Sequence, residues 1–152
     1  MFGSKVLLFA VLGFVATGVS DSKKISFKNC GGSGTINYVD VDPCDKEPCQ
    51  MKEGVTYTIE GSFKPTSGAD EPFLQVEVKV LGFWVKYPGI DTNPCNSYMK
   101  CPVNAGEDNV FKMKIDAIGM VHNIDTEVKI SLYEDKSQKN TIICGEAPVH
   151  VV

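Results

Sequence analysis

Apolar and polar residues alternate in the stretch Val55-Thr-Tyr-Thr-Ile-Glu-Gly-Ser-Phe63. A period of two is the pattern of a β-strand that buries one face and exposes the other. Tyr57 and Ile59 are therefore expected to point into a core. The polar residues are expected to face water: Thr56, Thr58, Glu60 and Ser62.

The same alternation recurs along the chain and predicts an all-β fold. It is clear in 74–80, 111–117 and 128–132 and weaker in 24–30, 35–41 and 141–151. After Gly82 the apolar positions shift phase to Phe83, Val85 and Tyr87, which predicts a bend or bulge there. About seven short strands favour an immunoglobulin-like sandwich of two antiparallel sheets, with a closed barrel as the alternative.

The N-terminus has the pattern of a secretory signal peptide. Lys5 precedes an apolar run over 6–15, and small residues follow at Ala16, Gly18 and Ser20. The run is too short for a transmembrane helix, and no second apolar stretch of that length follows. We therefore predict a removed signal peptide at 1–20, a single domain at 21–152, and an exported protein without a transmembrane segment.

Six cysteines in an exported chain predict a disulfide framework, for which fifteen connectivities exist on paper. Sequence proximity favours Cys44 with Cys49 and Cys95 with Cys101, which leaves Cys30 with Cys144. The alternative, a zinc site, lacks a Cys-x-x-Cys pair.

Composition and motifs argue against several classes of function. The 15 basic residues are all lysine, against 19 acidic residues, so nucleic acid is not an expected partner. The acidic stretch 40–47 has a proline and a cysteine in its middle, where a calcium loop has its central glycine. No triad or phosphate-loop pattern is present, so we predict no enzyme activity, no metal and no cofactor.

Residues 81–87 are rich in apolar side chains, which has two interpretations: they belong to an ordinary core, or they form the wall of a cavity for an apolar ligand. Periodicity alone does not separate a filled sandwich from a hollow one.

Specific sequence motifs in the second half of the chain favour the cavity over an ordinary core. Pro88-Gly-Ile-Asp-Thr-Asn-Pro-Cys95 and Tyr98-Met-Lys-Cys101-Pro102, with Asn29-Cys30-Gly31 and the other cysteines, resemble the ML (lipid-recognition) family. That family includes Niemann-Pick type C2 sterol-transfer proteins and arthropod group 2 mite allergens. The resemblance implies a seven-stranded sandwich that holds a hydrophobic ligand between its sheets.

The resemblance also implies where the ligand lies. The family places an aromatic residue before a proline at the ligand mouth, which corresponds to Tyr87-Pro88 here. The facing loop, 118–124, lacks the Tyr-Pro pair of sterol-binding relatives, and its methionine and isoleucines suit a more chain-like ligand. The predicted pocket residues are Phe83, Val85, Tyr87, Pro88, Met113, Ile118, Met120, Val121, Ile124 and Ile130.

We therefore predict a secreted, non-enzymatic, monomeric carrier of a fatty acid, a sterol or another lipid-like molecule such as a semiochemical. It would dock on a membrane or receptor during transfer. The alternative is an innate-immune module that presents microbial lipid to a receptor. No Asn-x-Ser/Thr sequon is present, which favours extracellular fluid over the lysosomal lumen.

Overall fold

The computed structural model describes residues 22–152 together with Gly13. The predicted signal peptide at 1–20 lies outside the described residues except for Gly13, so its removal stays a prediction. Among the described residues, no helix has the length and apolar character needed to cross a membrane.

Ten strands form within residues 22–152. They are β1 (Lys23–Lys24), β2 (Lys28–Gly31), β3 (Thr35–Asp42), β4 (Cys49–Met51), β5 (Thr56–Lys64), β6 (Phe73–Val80), β7 (Phe83–Lys86), β8 (Asn109–Asp116), β9 (Ile124–Tyr133) and β10 (Thr141–Val151).

The strands form two sheets that face each other. Sheet A has the order β1-β3-β5-β8, and sheet B has the order β2-β10-β9-β6-β7. Strand pairs are antiparallel, except that the short β4 runs parallel to the end of β10. The immunoglobulin-like sandwich of two antiparallel sheets predicted from alternation is confirmed.

The structure has more strands than the seven predicted. The first predicted strand, 24–30, is divided, because β1 pairs with β3 in sheet A whereas β2 pairs with β10 in sheet B. The chain crosses between the sheets at residues 25–27, so one continuous strand cannot form. The three-residue β4 was missed because alternation cannot be recognised in so short a segment.

The bend or bulge expected at Gly82 is instead a complete reversal of the chain. Val80 pairs with Phe83, and the two residues between them have positive φ, 49° at Leu81 and 84° at Gly82. Two residues with positive φ make the turn that joins tightly paired antiparallel strands. The two-residue turn accounts for the phase shift, since Phe83 faces the same side of sheet B as Val80.

The core lies between the sheets and is built from the apolar positions of the alternating strands. Its most deeply buried large side chains include Phe63, Leu74, Met113 and Ile142. Ser62, expected to face water, is buried and accepts a hydrogen bond of 3.1 Å from Nδ2 of Asn37.

All three predicted disulfides are confirmed. Cys30–Cys144 joins β2 to β10, with a sequence separation of 114. Cys44–Cys49 and Cys95–Cys101 close local loops.

Residues 88–103, which contain the Cys95–Cys101 bridge, are part of the segment that connects the edge strands β7 and β8, and they cover the core between these strands. The amide of Leu74 donates to the carbonyl of Thr92 at 2.8 Å, and the amide of Lys112 donates to the carbonyl of Tyr98 at 2.9 Å. This side of the sandwich is therefore closed.

Candidate ligand-binding site

A cavity lies between the two sheets. Its volume, measured as the space open to the centre of a water molecule, is ≈ 160 Å³. One water needs only about 10–15 Å³ on this measure, so the space is far larger than a packing defect. Sheets A and B both contribute apolar wall residues, among them Val39, Val41, Ile59, Phe63, Ile115, Val76, Val78, Ile130, Leu132 and Val149.

The exposed residues of the cavity wall are concentrated at one end of the cavity. They are Glu53, Ile118, Gly119, Met120, His122 and Val152. We call the opening that they surround the mouth. Backbone hydrogen bonds join the segments around the mouth. The amide of Gly54 donates to the carbonyl of Ala117 at 3.0 Å, and the amide of Val152 donates to the carbonyl of Met51 at 2.9 Å.

Tyr87 fixes the loop that forms one side of the mouth. Its hydroxyl donates to the carbonyl of Asp116 at 2.5 Å and accepts from the amide of Ile118 at 3.1 Å. Tyr87 follows β7 of sheet B, whereas Asp116 ends β8 of sheet A, so this side chain ties the sheets together beside the cavity. Because both contacts are internal, the hydroxyl orients the mouth instead of standing free for a ligand head group.

Partial burial raises the pKa of the Tyr87 hydroxyl above its ordinary value of 10.0, because the phenolate would lose hydration. The hydrogen bond from Ile118 opposes this effect, and the charge of Asp116 adds to it. The hydroxyl is therefore protonated at neutral pH and can donate to Asp116.

Within the described part of the chain, no group of three or more His, Cys, Asp or Glu side chains is placed to hold a metal ion. All six cysteines are in disulfides. The apolar side chains of the cavity wall can remove an apolar molecule from water.

Comparison with known proteins agrees with this architecture. The family model of the ML domain matches residues 24–151. The chain belongs to the ML domain family.

Relatives of this ML domain include two groups of named proteins. It is 26% identical over 148 residues to NPC intracellular cholesterol transporter 2 of Mus musculus, covering 97% of this chain and 98% of that protein. It is 31% identical over 107 residues to the mite group 2 allergen Lep d 2 of Lepidoglyphus destructor, covering 69% of this chain and 74% of that protein. The crystal structure of a Niemann-Pick type C2 protein from Japanese carpenter ant superposes with a TM-score of 0.72 at 16% identity, covering 84% of this chain and 100% of that chain, which supports the fold.

Half of the predicted pocket residues lie in the cavity wall of the ML domain. These are Tyr87, Ile118, Met120, Val121 and Ile130. Their contact with a ligand stays a prediction. The other five lie outside the wall: Phe83, Val85, Pro88, Met113 and Ile124.

The positions of these five residues explain why they do not reach the cavity. Phe83 and Val85 point to the inner side of sheet B, but β7 is its edge strand, and they are 75% and 38% exposed. Pro88 lies in an exposed turn, and Ile124 begins β9 at the surface. Met113, by contrast, is 1% exposed and packs in the filled part of the core.

Sequence reasoning missed the polar residues of the mouth, Glu53 and His122, together with Gly119. Glu53 lies in a turn between β4 and β5, far in sequence from the 118–122 loop that it meets. Only the antiparallel pairing of β5 with β8, which places Thr56 opposite Asp116, brings the two segments together.

Proposed function

We propose that this ML domain is a secreted, monomeric, non-enzymatic carrier that encloses one hydrophobic molecule between its sheets and moves it through aqueous fluid. The observation that carries the proposal is the apolar cavity of ≈ 160 Å³ between the sheets. Membrane or receptor docking would accompany loading and release at the mouth.

Burial supplies the driving force for such binding. Removing apolar surface from water is worth about 25 cal/mol per Å². A sterol or acyl chain of about 300–400 Å² would gain about 7–10 kcal/mol before the costs of ordering are subtracted. This gain needs no charged contact inside the cavity, in keeping with the apolar side chains of its wall.

The names of the relatives support a lipid-like cargo. One of them is named as an intracellular cholesterol transporter and aligns with nearly the whole chain. The sterol, fatty-acid and semiochemical candidates all share an apolar body that such a cavity would enclose.

The disulfides support the proposed compartment. Three bridges are typical of proteins that fold in an oxidising environment. The proposal predicts that the protein is recovered from the medium of expressing cells without residues 1–20, which N-terminal sequencing would check.

A variant in which a large side chain fills the cavity tests the carrier function. Val128 lies in the cavity wall, so Val128→Trp should fill the space and lower the affinity for dehydroergosterol, a fluorescent sterol, and for the apolar dye N-phenylnaphthylamine by at least about tenfold. Val110→Trp is the matched control, since Val110 is 55% exposed on β8 outside the wall.

The control should bind both probes as the wild type does, and thermal unfolding would verify that both variants are folded. The carrier proposal fails if neither probe binds the wild type, or if the two tryptophan variants bind equally well.

A further inference from the structure

The mouth of the cavity carries an unpaired negative charge. In the cavity wall, the titratable side chains apart from tyrosine are Glu53, Glu146 and His122, and no lysine of the described residues belongs to it. The two carboxylates differ in their partners. Glu146 pairs with Lys28 at 3.6 Å, whereas Glu53 forms no ion pair with any described residue.

The carboxylate of Glu53 has a defined place at the mouth. A methyl group built at Gly119 would come within 2.7 Å of Oε2 and 2.8 Å of Oε1 of Glu53, so the carboxylate rests against the backbone of the 118–122 loop. The absence of a side chain at Gly119 is what leaves room for it. Glu53 is exposed, so its oxygens remain available to a molecule at the mouth.

We infer that the mouth selects amphiphiles whose polar end donates hydrogen bonds, namely alcohols and amines, over those that end in a carboxylate. This inference rests on the proposed carrier function. The apolar wall cannot solvate a polar group, so the polar end of an enclosed molecule must lie at the mouth. There it meets a carboxylate, which only accepts hydrogen bonds and repels anions.

The test compares three ligands with the same chain: dodecanol, dodecylamine and dodecanoate. Each displaces N-phenylnaphthylamine from the purified protein at about pH 8. We expect dodecanol and dodecylamine to displace the dye at concentrations about fivefold lower than dodecanoate, the size of effect that a single exposed charge produces.

Two variants isolate the carboxylate. Glu53→Gln removes the charge and keeps the shape of the side chain. Gly119→Ala displaces the Glu53 carboxylate and leaves the net charge unchanged. The backbone tolerates alanine there, because Gly119 does not have a positive φ. Both should bring the dodecylamine and dodecanoate constants towards each other. Glu71→Gln, an exposed acid outside the cavity wall, is the control and should leave their ratio at the wild-type value.

Equal displacement by dodecanoate and dodecanol in the wild type would overturn the inference, as would an unchanged amine-to-carboxylate ratio in Glu53→Gln. Both results would leave the carrier proposal standing. If the dye binds but none of the three chains displaces it, this inference fails while the carrier proposal stands. If neither the dye nor dehydroergosterol binds the wild type, the carrier proposal fails and this inference with it.

Discussion

At the scale of single residues, Tyr87 links the shape of the mouth to the stability of the fold. Among the described residues, its hydroxyl is the only side-chain group that accepts a hydrogen bond from the amide of Ile118. Tyr87→Phe removes that acceptor and also leaves the carbonyl of Asp116 without its donor. We expect the free energy of unfolding to fall by about 1–3 kcal/mol, measured by urea denaturation, since two hydrogen bonds are lost and each is typically worth about 0.5–1.5 kcal/mol.

Tyr133→Phe is the matched control, because Tyr133 contacts Phe73 through its ring, and its hydroxyl makes no hydrogen bond to other described side chains. Hydrogen exchange at the Ile118 amide should accelerate in Tyr87→Phe alone. Equal stability and equal exchange in the two variants would show that Tyr87 does not hold the loop.

The predicted pocket residues show which part of a site the sequence reveals. Alternation correctly gave the face to which Phe83 and Val85 point, since they pair with Val80 and Val78. It could not reveal that β7 lies at a sheet edge, where no second sheet covers it. Glu53 was missed for the related reason that a polar residue in a turn has no pattern; only the fold brings it to Gly119.

At the scale of elements, the β6–β7 hairpin contains an avoidable strain. Leu81 has a φ of 49° and is 92% exposed, so it gains nothing from packing in a conformation that is unfavourable for a branched side chain. Leu81→Asn would create Asn-Gly, the preferred pair for this turn. We expect a gain of about 0.5–1 kcal/mol in the free energy of unfolding, measured with denaturant.

Leu81→Gln separates turn geometry from surface polarity, because glutamine is also polar but does not favour positive φ. It should not reproduce the gain. Gly82→Ala should lower the stability of the fold, because the φ of Gly82 is 84°, which side chains other than glycine rarely adopt. No atom lies within 4 Å of the added methyl group, so a steric clash would not explain the loss. A gain of equal size in the asparagine and glutamine variants would assign the effect to polarity and contradict the argument.

The length of a strand determined whether the sequence predicted it. Strands of eight or more residues, such as β5 and β8, show alternation over several periods and were identified. The two-residue β1 and three-residue β4 are specified by their partners, β3 and β10, and not by their own sequence. Their existence follows from tertiary structure, which no local pattern encodes.

At the scale of the whole molecule, the Cys30–Cys144 bridge constrains the chain most. It closes a loop of 114 residues, whereas the other two bridges close loops of 5 and 6. A cross-link reduces the entropy of the unfolded chain more as the closed loop lengthens. In that model, the long bridge contributes about 5 kcal/mol and each short bridge about 2 kcal/mol.

Replacing both cysteines of a bridge by serine tests this order. Cys30→Ser with Cys144→Ser should lower the free energy of unfolding by more than Cys44→Ser with Cys49→Ser, by a margin of about 2–3 kcal/mol in guanidinium denaturation. Because Cys44 and Cys49 are both buried, as is Cys144, the packing losses at the two bridges partly cancel in the comparison. Equal losses from the two pairs would mean that local packing around the sulfurs, and not the closure of the chain, sets the contribution of each bridge.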